Sequence, residues 1–415
     1  MSSFLTNTFP NTPFRIPLFH SPPSSQATNF SPRAKMLSSS SLKSSLPENP
    51  IVQLGCGGAV VDLLAAVASY PKPDDKIRST SFQVQGGGNV ANALTCAARL
   101  GLTPRLISKV ANDAQGRGIL EELESDGVDT SFFVVSQEGN SPFTYIIVDN
   151  KMKTRTCIHT PGYPPMVPEE LSQQKLESAL DGSRLVYFDV RLHETALVVA
   201  KEATRRNIPI LVDAERKRDG LDELLSFATY VVCSAKFPQV WTEASSVPTS
   251  LISMLLRLPK LQFVIVTLGE DGCVMLERSL NEASELEEIH VDDVLKSLKQ
   301  RAPNDYTIPS SVSSSVMKLK ADGIGTICGR LHVGTAEKIP PSELVDTTGA
   351  GDAFIGAVLY ALCADMPPEK MLPFAAQVAA CGCRALGARS GLPHYSDPRI
   401  ASFLHQSSEN AVLVP

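Results

Sequence analysis

The stretch 344–352, Leu-Val-Asp-Thr-Thr-Gly-Ala-Gly-Asp, leads directly into the apolar run Ala-Phe-Ile-Gly-Ala-Val-Leu-Tyr at 353–360. The apolar residues of this run recur at helical spacing, so the pattern predicts that the glycines stand at a helix amino terminus. Glycines let a backbone approach a ligand closely, and the free N–H groups and dipole of a helix start favour anions. The stretch therefore predicts an anion site that suits phosphate.

Asp352 closes this glycine stretch, and its charge needs an explanation because a carboxylate repels phosphate. A base beside a transferring phosphoryl group takes the proton of an acceptor hydroxyl while backbone N–H groups hold the developing charge. An acidic residue in the first helical turn is also a common stabilising feature of helices. The residues alone leave both interpretations open.

Upstream of this stretch, short apolar runs alternate with helical patterns, which is typical of an α/β fold with a parallel sheet covered by helices on both faces. Two further segments, about 77–85 and 143–160, show the alternation of antiparallel strands, and we expect them to form a small lid sheet beside the site. The predicted parallel strands and their helices lie at 51–54, 89–100, 105–110, 115–125, 185–189, 208–213, 230–233 and 263–268.

Three motifs together resemble the pfkB or ribokinase family of carbohydrate kinases. The sequence at 346–354 resembles the family's carboxy-terminal signature, and Gly-Gly-Gly-Asn-Val-Ala-Asn-Ala-Leu at 86–94 resembles its amino-terminal signature. Thr-Leu-Gly-Glu-Asp-Gly at 267–272 is similar to its nucleotide-binding strand end. The resemblance covers about 51–393. It implies a ribokinase-like three-layer sandwich, with a central mostly parallel sheet and a small β-sheet lid, that phosphorylates a sugar hydroxyl with ATP.

Within the family, the stretches 70–78 and 187–191 are most similar to ketohexokinase, and the acid-free amino terminus fits a plant plastid type. The resemblance implies that Asp352 is the general base and that the anion hole is formed by Gly349, Ala350 and Gly351. It implies sugar ligands at Asp62, Gly88, Asn89, Asn92 and Arg191. It implies ATP contacts at Thr267, Gly269, Gly272 and Ala376. Asn is also a preferred helix cap, so Asn89 has a structural alternative.

The residues expected to handle cations depart from the family pattern, because many family members carry an Asn-x-x-Glu motif that Ser-Ala-Lys-Phe replaces here at 234–237. Its absence leaves Mg²⁺ to phosphate oxygens and water, which the reluctance of this ion to dehydrate permits. Asp346 and Thr348 match the part of the loop that faces a monovalent cation in the family, with 387–391 as a second half. Potassium activation is therefore a hypothesis.

The composition fits a folded small-molecule enzyme. The chain has 415 residues, 43% of them hydrophobic, and a net charge of -6 at pH 7, so it lacks the basic footprint of nucleic-acid binding. No run is long and apolar enough for a membrane helix. Residues 1–49 are rich in Ser, Thr, Pro and Asn, with only four basic residues and no acidic residue before position 48. They predict a chloroplast transit peptide, with mitochondrion, cytosol or a plain disordered tail as alternatives.

The kinase domain is expected at 50–405, followed by a tail at 406–415. The segment 277–325, acidic and then Ser-rich, is predicted to be a surface insertion with at most one short helix, about 291–298, and a partner-binding role is open. An exposed lid edge predicts a homodimer formed through the lid.

Other classes fit less well. There is no P-loop motif, and Val60 stands where a dinucleotide fingerprint beginning at Gly55 would need its third glycine. A nucleoside kinase on the same fold remains open, as does a non-catalytic kinase-like plastid scaffold. The retained Gly349, Gly351 and Asp352 favour catalysis over the scaffold.

Overall fold

Short apolar runs recur along the chain, and the computed structural model, which describes residues 52–279, 287–303 and 307–405, folds them into strands. The strands are β1 Val52–Cys56, β2 Val60–Val67, β3 Ser81–Gly87, β4 Thr103–Ile107, β5 Lys109–Ala111, β6 Val134–Ser136, β7 Phe143–Asp149, β8 Thr154–Thr160, β9 Ser183–Phe188, β10 Ile210–Ala214, β11 Tyr230–Cys233, β12 Phe263–Thr267, β13 Cys273–Arg278, β14 Glu288–His290, β15 Ser311–Ser313, β16 Met317–Ala321 and β17 Gly325–Gly334.

Segments with helical periodicity connect these strands. The helices are α1 Asn89–Arg99, α2 Ala114–Ser125, α3 Gln173–Leu180, α4 His193–Arg205, α5 Leu221–Leu225, α6 Phe237–Thr242, α7 Val247–Arg257, α8 Val291–Arg301, α9 Ala350–Cys363, α10 Pro368–Gly382 and α11 Pro398–His405.

The main sheet has the strand order β14-β16-β17-β13-β12-β11-β10-β9-β1-β4, with β15 paired to β17. Six neighbouring strands of this sheet run parallel to one another: β4, β1, β9, β10, β11 and β12. Strands β13 and β17 run antiparallel to their neighbours. Neighbouring residues in one strand are buried against opposite helix layers: Val231 packs in the core that contains α3 to α8, and Val232 in the core that contains α1, α2, α9, α10 and α11. The predicted α/β three-layer sandwich is confirmed.

A second sheet of four strands, which we call the small sheet, has the order β3-β2-β7-β8. The sequence predicted β3, β7 and β8 but not β2. Strand β2 follows β1 after only three residues, and its run Val-Val-Asp-Leu-Leu-Ala-Ala-Val lacks the alternation that marks a strand with one exposed face. Pairing on both sides, with β3 and with β7, explains why it is mostly buried.

The segment 277–325 differs from its sequence-based description as a surface insertion. It contributes β14, β15 and β16 to the edge of the main sheet, and α8 packs beneath them. Val291, Leu298 and Leu319 are buried in the core. The run Met-Lys-Leu-Lys-Ala of β16 alternates apolar and charged residues, as a strand with one exposed face does. Its lysines and the acidic residues around it instead favoured the interpretation as a solvent-exposed loop.

Several predictions concern residues outside the described ranges: the transit peptide at 1–49, the tail at 406–415, and the acidic positions within 280–286. Across the described ranges, no helix combines the length and the apolar character that crossing a membrane requires.

Candidate active site

A cleft of about 1290 Å³ lies where the carboxyl ends of the parallel strands meet the small sheet and the start of α9. Ligand sites of open parallel sheets occur at this edge, because loops from several strands converge there. Most of the predicted site residues line it together: Asp62, Gly88, Asn89, Asn92, Arg191, Thr267, Thr348, Gly349, Gly351 and Asp352.

Helix α9 begins at the predicted anion hole. Its cap residue Gly349 has φ 72°, and a Cβ there would lie 2.5 Å from the Cβ of Ala388, so only glycine fits. Apart from its chain neighbours and the backbone of its own helix, no atom lies within 4 Å of the position that a Cβ of Gly351 would occupy, so packing does not require glycine there. The first N–H groups of a helix have no partner within the helix. The α9 start therefore offers donors and open space to an anion.

Asp352 stands on the first turn of α9, where Asn92 of α1 holds it. The Nδ2 atom of Asn92 donates to Asp352 Oδ2 at 2.8 Å, and Asn92 Oδ1 accepts from Arg389 Nε at 2.9 Å. Arg389, which is 2% exposed, also donates to Glu122 Oε1 at 3.1 Å and to the carbonyl of Gly87 at 3.1 Å. The sequence marked 387–391 only as the second half of the cation loop, and nothing in it assigned Arg389 a role beside Asn92, because the partners of Arg389 are distant in the chain.

Burial raises the pKa of Asp352 to about 7, while the hydrogen bond from Asn92 lowers it and the charge of Glu215 raises it. A general base works best when its pKa lies near the working pH, since it is then both ionised and able to hold a proton. The environment of Asp352 thus suits proton abstraction from a hydroxyl.

The glycines at 86–88 bring β3 into α1 beside the cleft. Gly88 has φ 95° and caps α1, and a Cβ there would lie 2.4 Å from the carbonyl oxygen of Gly58. Asn89 is therefore not the cap residue. Its Nδ2 donates to Asp213 Oδ2 at 3.2 Å, which leaves the amide facing the cleft.

Three buried carboxylates line the cleft near these amides. Asp62 of β2 is 5% exposed and lies against Gly87, and burial raises its pKa to about 6. Asp189 and Asp213, at the ends of β9 and β10, were missed as site residues. The signal was available, because an acidic residue at the carboxyl end of a buried parallel strand faces the ligand edge.

Arg155 of β8 links the small sheet to the loop before α9, because its Nη1 donates to Thr347 Oγ1 at 3.0 Å. Its charge lowers the pKa of Asp352. Arg155 is exposed to the cleft and was also missed, since β8 carries no motif. The residue places a cation at Thr347, two positions before Gly349.

The predicted ATP residues are only partly brought together. Thr267 lines the cleft at the end of β12, and its Oγ1 donates to the carbonyl of Cys233 at 3.3 Å. Gly269, Gly272 and Ala376 do not line it. Gly272 has a packing reason, because a Cβ there would lie 2.0 Å from the carbonyl oxygen of Gly334.

The predicted cation loop joins its two halves. Asp346 Oδ1 accepts from the N–H of Thr348 at 3.0 Å and from its hydroxyl at 2.8 Å, and Oδ2 accepts from the N–H of Gly387 at 2.9 Å. Each carboxylate oxygen has more than one lone pair, so these oxygens still suit a monovalent cation. Within the described ranges, no group of three or more His, Cys, Asp or Glu side chains is arranged to hold a metal ion.

Comparisons with known proteins bear on the family and the fold. The sequence profile described as "pfkB family carbohydrate kinase" matches residues 55–295 and 321–395. The ribokinase of Mus musculus is 24% identical over 84% of this chain and 93% of its own length. The ketohexokinase of Mus musculus is 24% identical over 81% of this chain and 97% of its own. The solved structure of Arabidopsis thaliana ribokinase complexed with ribose and ATP superposes with a TM-score of 0.61 at 20% identity, covering 86% of this chain and 99% of that one.

Proposed function

This chain belongs to the pfkB family of carbohydrate kinases, which are ATP-dependent phosphotransferases, and we propose that it phosphorylates a hydroxyl of a ribose- or fructose-type sugar. The observation that carries the proposal is the pairing of an open helix start at Gly349 to Gly351 with a carboxylate, Asp352, whose pKa is raised to about 7. The solved relative bound to ribose and ATP supports the same pair of substrates.

In the proposed reaction, Asp352 accepts the proton of the acceptor hydroxyl through its carboxylate. The hydroxyl oxygen forms a bond to the γ-phosphorus of ATP while the bond from that phosphorus to the bridging oxygen breaks, so ADP leaves and the sugar keeps the phosphoryl group. Backbone N–H groups at the start of α9 hold the charge of the transferring group, and Arg155, bonded to Thr347, adds a cation to the same loop. Asn92 keeps Asp352 aimed at the acceptor.

We propose that Asp62, Gly88, Asn89, Asn92 and Arg191 bind the sugar, because carboxylate and amide groups bond hydroxyls at fixed positions and all five line the cleft. We propose Thr267, which lines the cleft, as an ATP contact. The other proposed ATP contacts, Gly269, Gly272 and Ala376, do not line the cleft. Mg²⁺ bound to the ATP phosphate oxygens would neutralise charge on them, held mainly by phosphate and water. The Asp346 and Thr348 oxygens are the proposed monovalent cation ligands.

Two further proposals concern the whole protein. The acid-free, Ser-rich amino terminus supports a chloroplast location, which a fluorescent protein carrying residues 1–49 at its amino terminus would test. The exposed apolar face of the small sheet supports a homodimer formed through that sheet.

The decisive experiment is turnover of a panel of pentoses, hexoses and nucleosides with ATP, Mg²⁺ and K⁺, scored by ADP release. We expect sugars to be phosphorylated and Asp352→Asn to lower kcat about 10²- to 10⁴-fold, as loss of a general base does, while ATP binding persists. Preference for nucleosides would favour the nucleoside kinase alternative. Absence of ADP from every acceptor would favour the non-catalytic scaffold.

A further inference from the structure

Three guanidinium groups surround one carboxylate at the mouth of the cleft. Arg218 Nη2 lies 3.0 Å from Glu215 Oε2, and Arg191 Nη2 and Arg216 Nε each lie 3.9 Å from the same oxygen. In the described part of the chain, Glu215 is the only carboxylate that forms an ion pair with these arginines. Lys217, which also lines the cleft, has no ion pair there. One negative charge thus faces several positive ones.

Six other carboxylates line the cleft, and in the described part of the chain none of them forms an ion pair with these three arginines. Asp189 is buried, and its carboxylate oxygens accept hydrogen bonds from the backbone N–H groups of Gly58 at 2.9 Å and Arg191 at 3.0 Å. Asp213 is buried against Asn89. Burial raises the pKa of both carboxylates, which weakens their charge. Glu194 and Asp219 also line the cleft but form no ion pair with the three arginines in the described ranges.

Nearby titratable groups respond to the surplus. Burial lowers the pKa of His159 on β8, and the charges of Arg191, Arg218 and Arg216 lower it further. Burial also lowers the pKa of Arg218, and Arg191 and Arg216 add to that shift. Glu215 opposes the shift of Arg218, so these directions show only that the three arginines lie close enough to act on His159 and on one another.

This cluster lies on the acceptor side of the cleft. Arg191 follows β9, and its Cγ lies 3.4 Å from where a Cβ of Gly58 would stand, beside the Gly88 backbone. The other two arginines follow β10. The proposed ATP contact Thr267 ends β12. Strand β12 lies two strands from β10 in the sheet, which is roughly 10 Å at the usual strand spacing.

We infer, building on the proposed function, that the acceptor sugar already carries a phosphate monoester and that Arg191, Arg216 and Arg218 bind it. Sugar hydroxyls alone are neutral and add no counter-charge to three guanidinium groups that share one carboxylate, whereas a phosphate dianion supplies the two further negative charges. Planar guanidinium groups bind phosphate oxygens through paired charge-assisted hydrogen bonds. The bound phosphate takes no part in the transfer, so the product is a sugar bisphosphate.

The test compares kcat/KM for ribose with ribose 5-phosphate, and for fructose with its 1-phosphate and 6-phosphate, at fixed ATP. A sugar acid such as gluconate serves as the carboxylate arm. We expect at least one phosphorylated sugar to exceed its neutral parent by about ten- to a hundredfold, as the loss or gain of one charged hydrogen bond predicts. Its KM should rise with ionic strength, because the cleft mouth is open to salt.

Variants locate the effect. Arg218→Met and the more exposed Arg216→Met should each raise KM for the phosphorylated sugar about ten- to a hundredfold and leave KM for ATP within about twofold. Arg117→Met, on the exposed face of α2, is the matched control and should change neither constant. Thermal melting checks that each variant is folded.

Three outcomes overturn the inference while leaving the proposed kinase function intact: neutral sugars used as well as their phosphates, a preference for the sugar acid, or variants that raise KM for ATP instead. The last result would assign the arginines to the triphosphate. No ADP release with any acceptor overturns the proposed function and this inference with it.

Discussion

Arg389 fixes which end of the Asn92 amide faces Asp352, because Arg389 Nε lies 2.9 Å from Asn92 Oδ1. An arginine only donates, so the oxygen of the amide must turn towards it and the nitrogen towards Asp352. A buried arginine more than two hundred residues from Asn92 in sequence thus orients the contact that steadies the proposed base.

We predict that Arg389→Met moves the acid limb of the kcat profile to higher pH. Asp352 must be ionised to accept a proton, so the rate should rise with pH through about 7 in the parent enzyme. The Asn92 hydrogen bond lowers that pKa, and losing its orientation removes the lowering. Steady-state rates between pH 5 and pH 9 measure the position of this limb.

Arg389→Lys, which keeps a donor, is the matched variant, and its acid limb should lie between those of the parent enzyme and Arg389→Met. A uniform loss of kcat with an unmoved limb would mean that Arg389 only supports the fold.

We predict that Asp352→Asn stabilises the fold, and that it does so more at pH 8 than at pH 5. The pKa of Asp352 is raised in the folded protein, so this group binds more protons folded than unfolded between about 3.8 and 7, and its contribution to stability falls as pH rises across that window. The asparagine is neutral at both pH values and still accepts from Asn92. Thermal melting of both proteins at the two pH values checks the sign; a melting-temperature difference that shrinks with rising pH would contradict it.

We predict that replacing K⁺ with tetramethylammonium lowers kcat, because the Asp346 and Thr348 oxygens would lose a cation that they are suited to hold. Asp346→Asn should lower the response to K⁺, since it weakens the donor set. ADP release at constant ionic strength measures both. A rate that is the same with either cation would remove the monovalent site from the mechanism.

We predict that Tyr145→Lys weakens a dimer. An apolar row crosses the four strands of the small sheet at paired positions, formed by Val84, Leu63, Tyr145 and Ile158. Three of these side chains are largely exposed: Val84 by 58%, Tyr145 by 50% and Ile158 by 53%. An exposed apolar row of this kind marks an interaction surface. Sedimentation velocity should show a shift towards monomer for Tyr145→Lys. Val240→Lys, at an exposed apolar residue of α6, is the control and should leave the distribution unchanged; a parent protein that sediments as a monomer would contradict the prediction.

The glycine stretch and the parallel strands could be predicted from the sequence because their signals are local. Gly349 needs a positive φ and Asp352 follows at once, so a few neighbouring residues define the helix start. The strand at 230–233 was predicted with its observed bounds, because β-branched residues buried on both faces form an uninterrupted apolar run.

The remaining parts depend on contacts between distant residues. Arg389 reaches Asn92 and Glu122 across the fold, and Arg155 meets Thr347 across 192 positions, so neither has a local pattern. Strand β2 and the segment 277–325 were misjudged for a related reason. Their burial comes from neighbours contributed by other parts of the chain, and hydrophobic periodicity does not report such partners.

The small sheet supplies both Asp62, a proposed sugar ligand, and Arg155, which meets the loop that opens α9. Any displacement of that sheet would withdraw both side chains together. A single movement of the small sheet would therefore act on the acceptor side and on the phosphoryl side of the cleft at once.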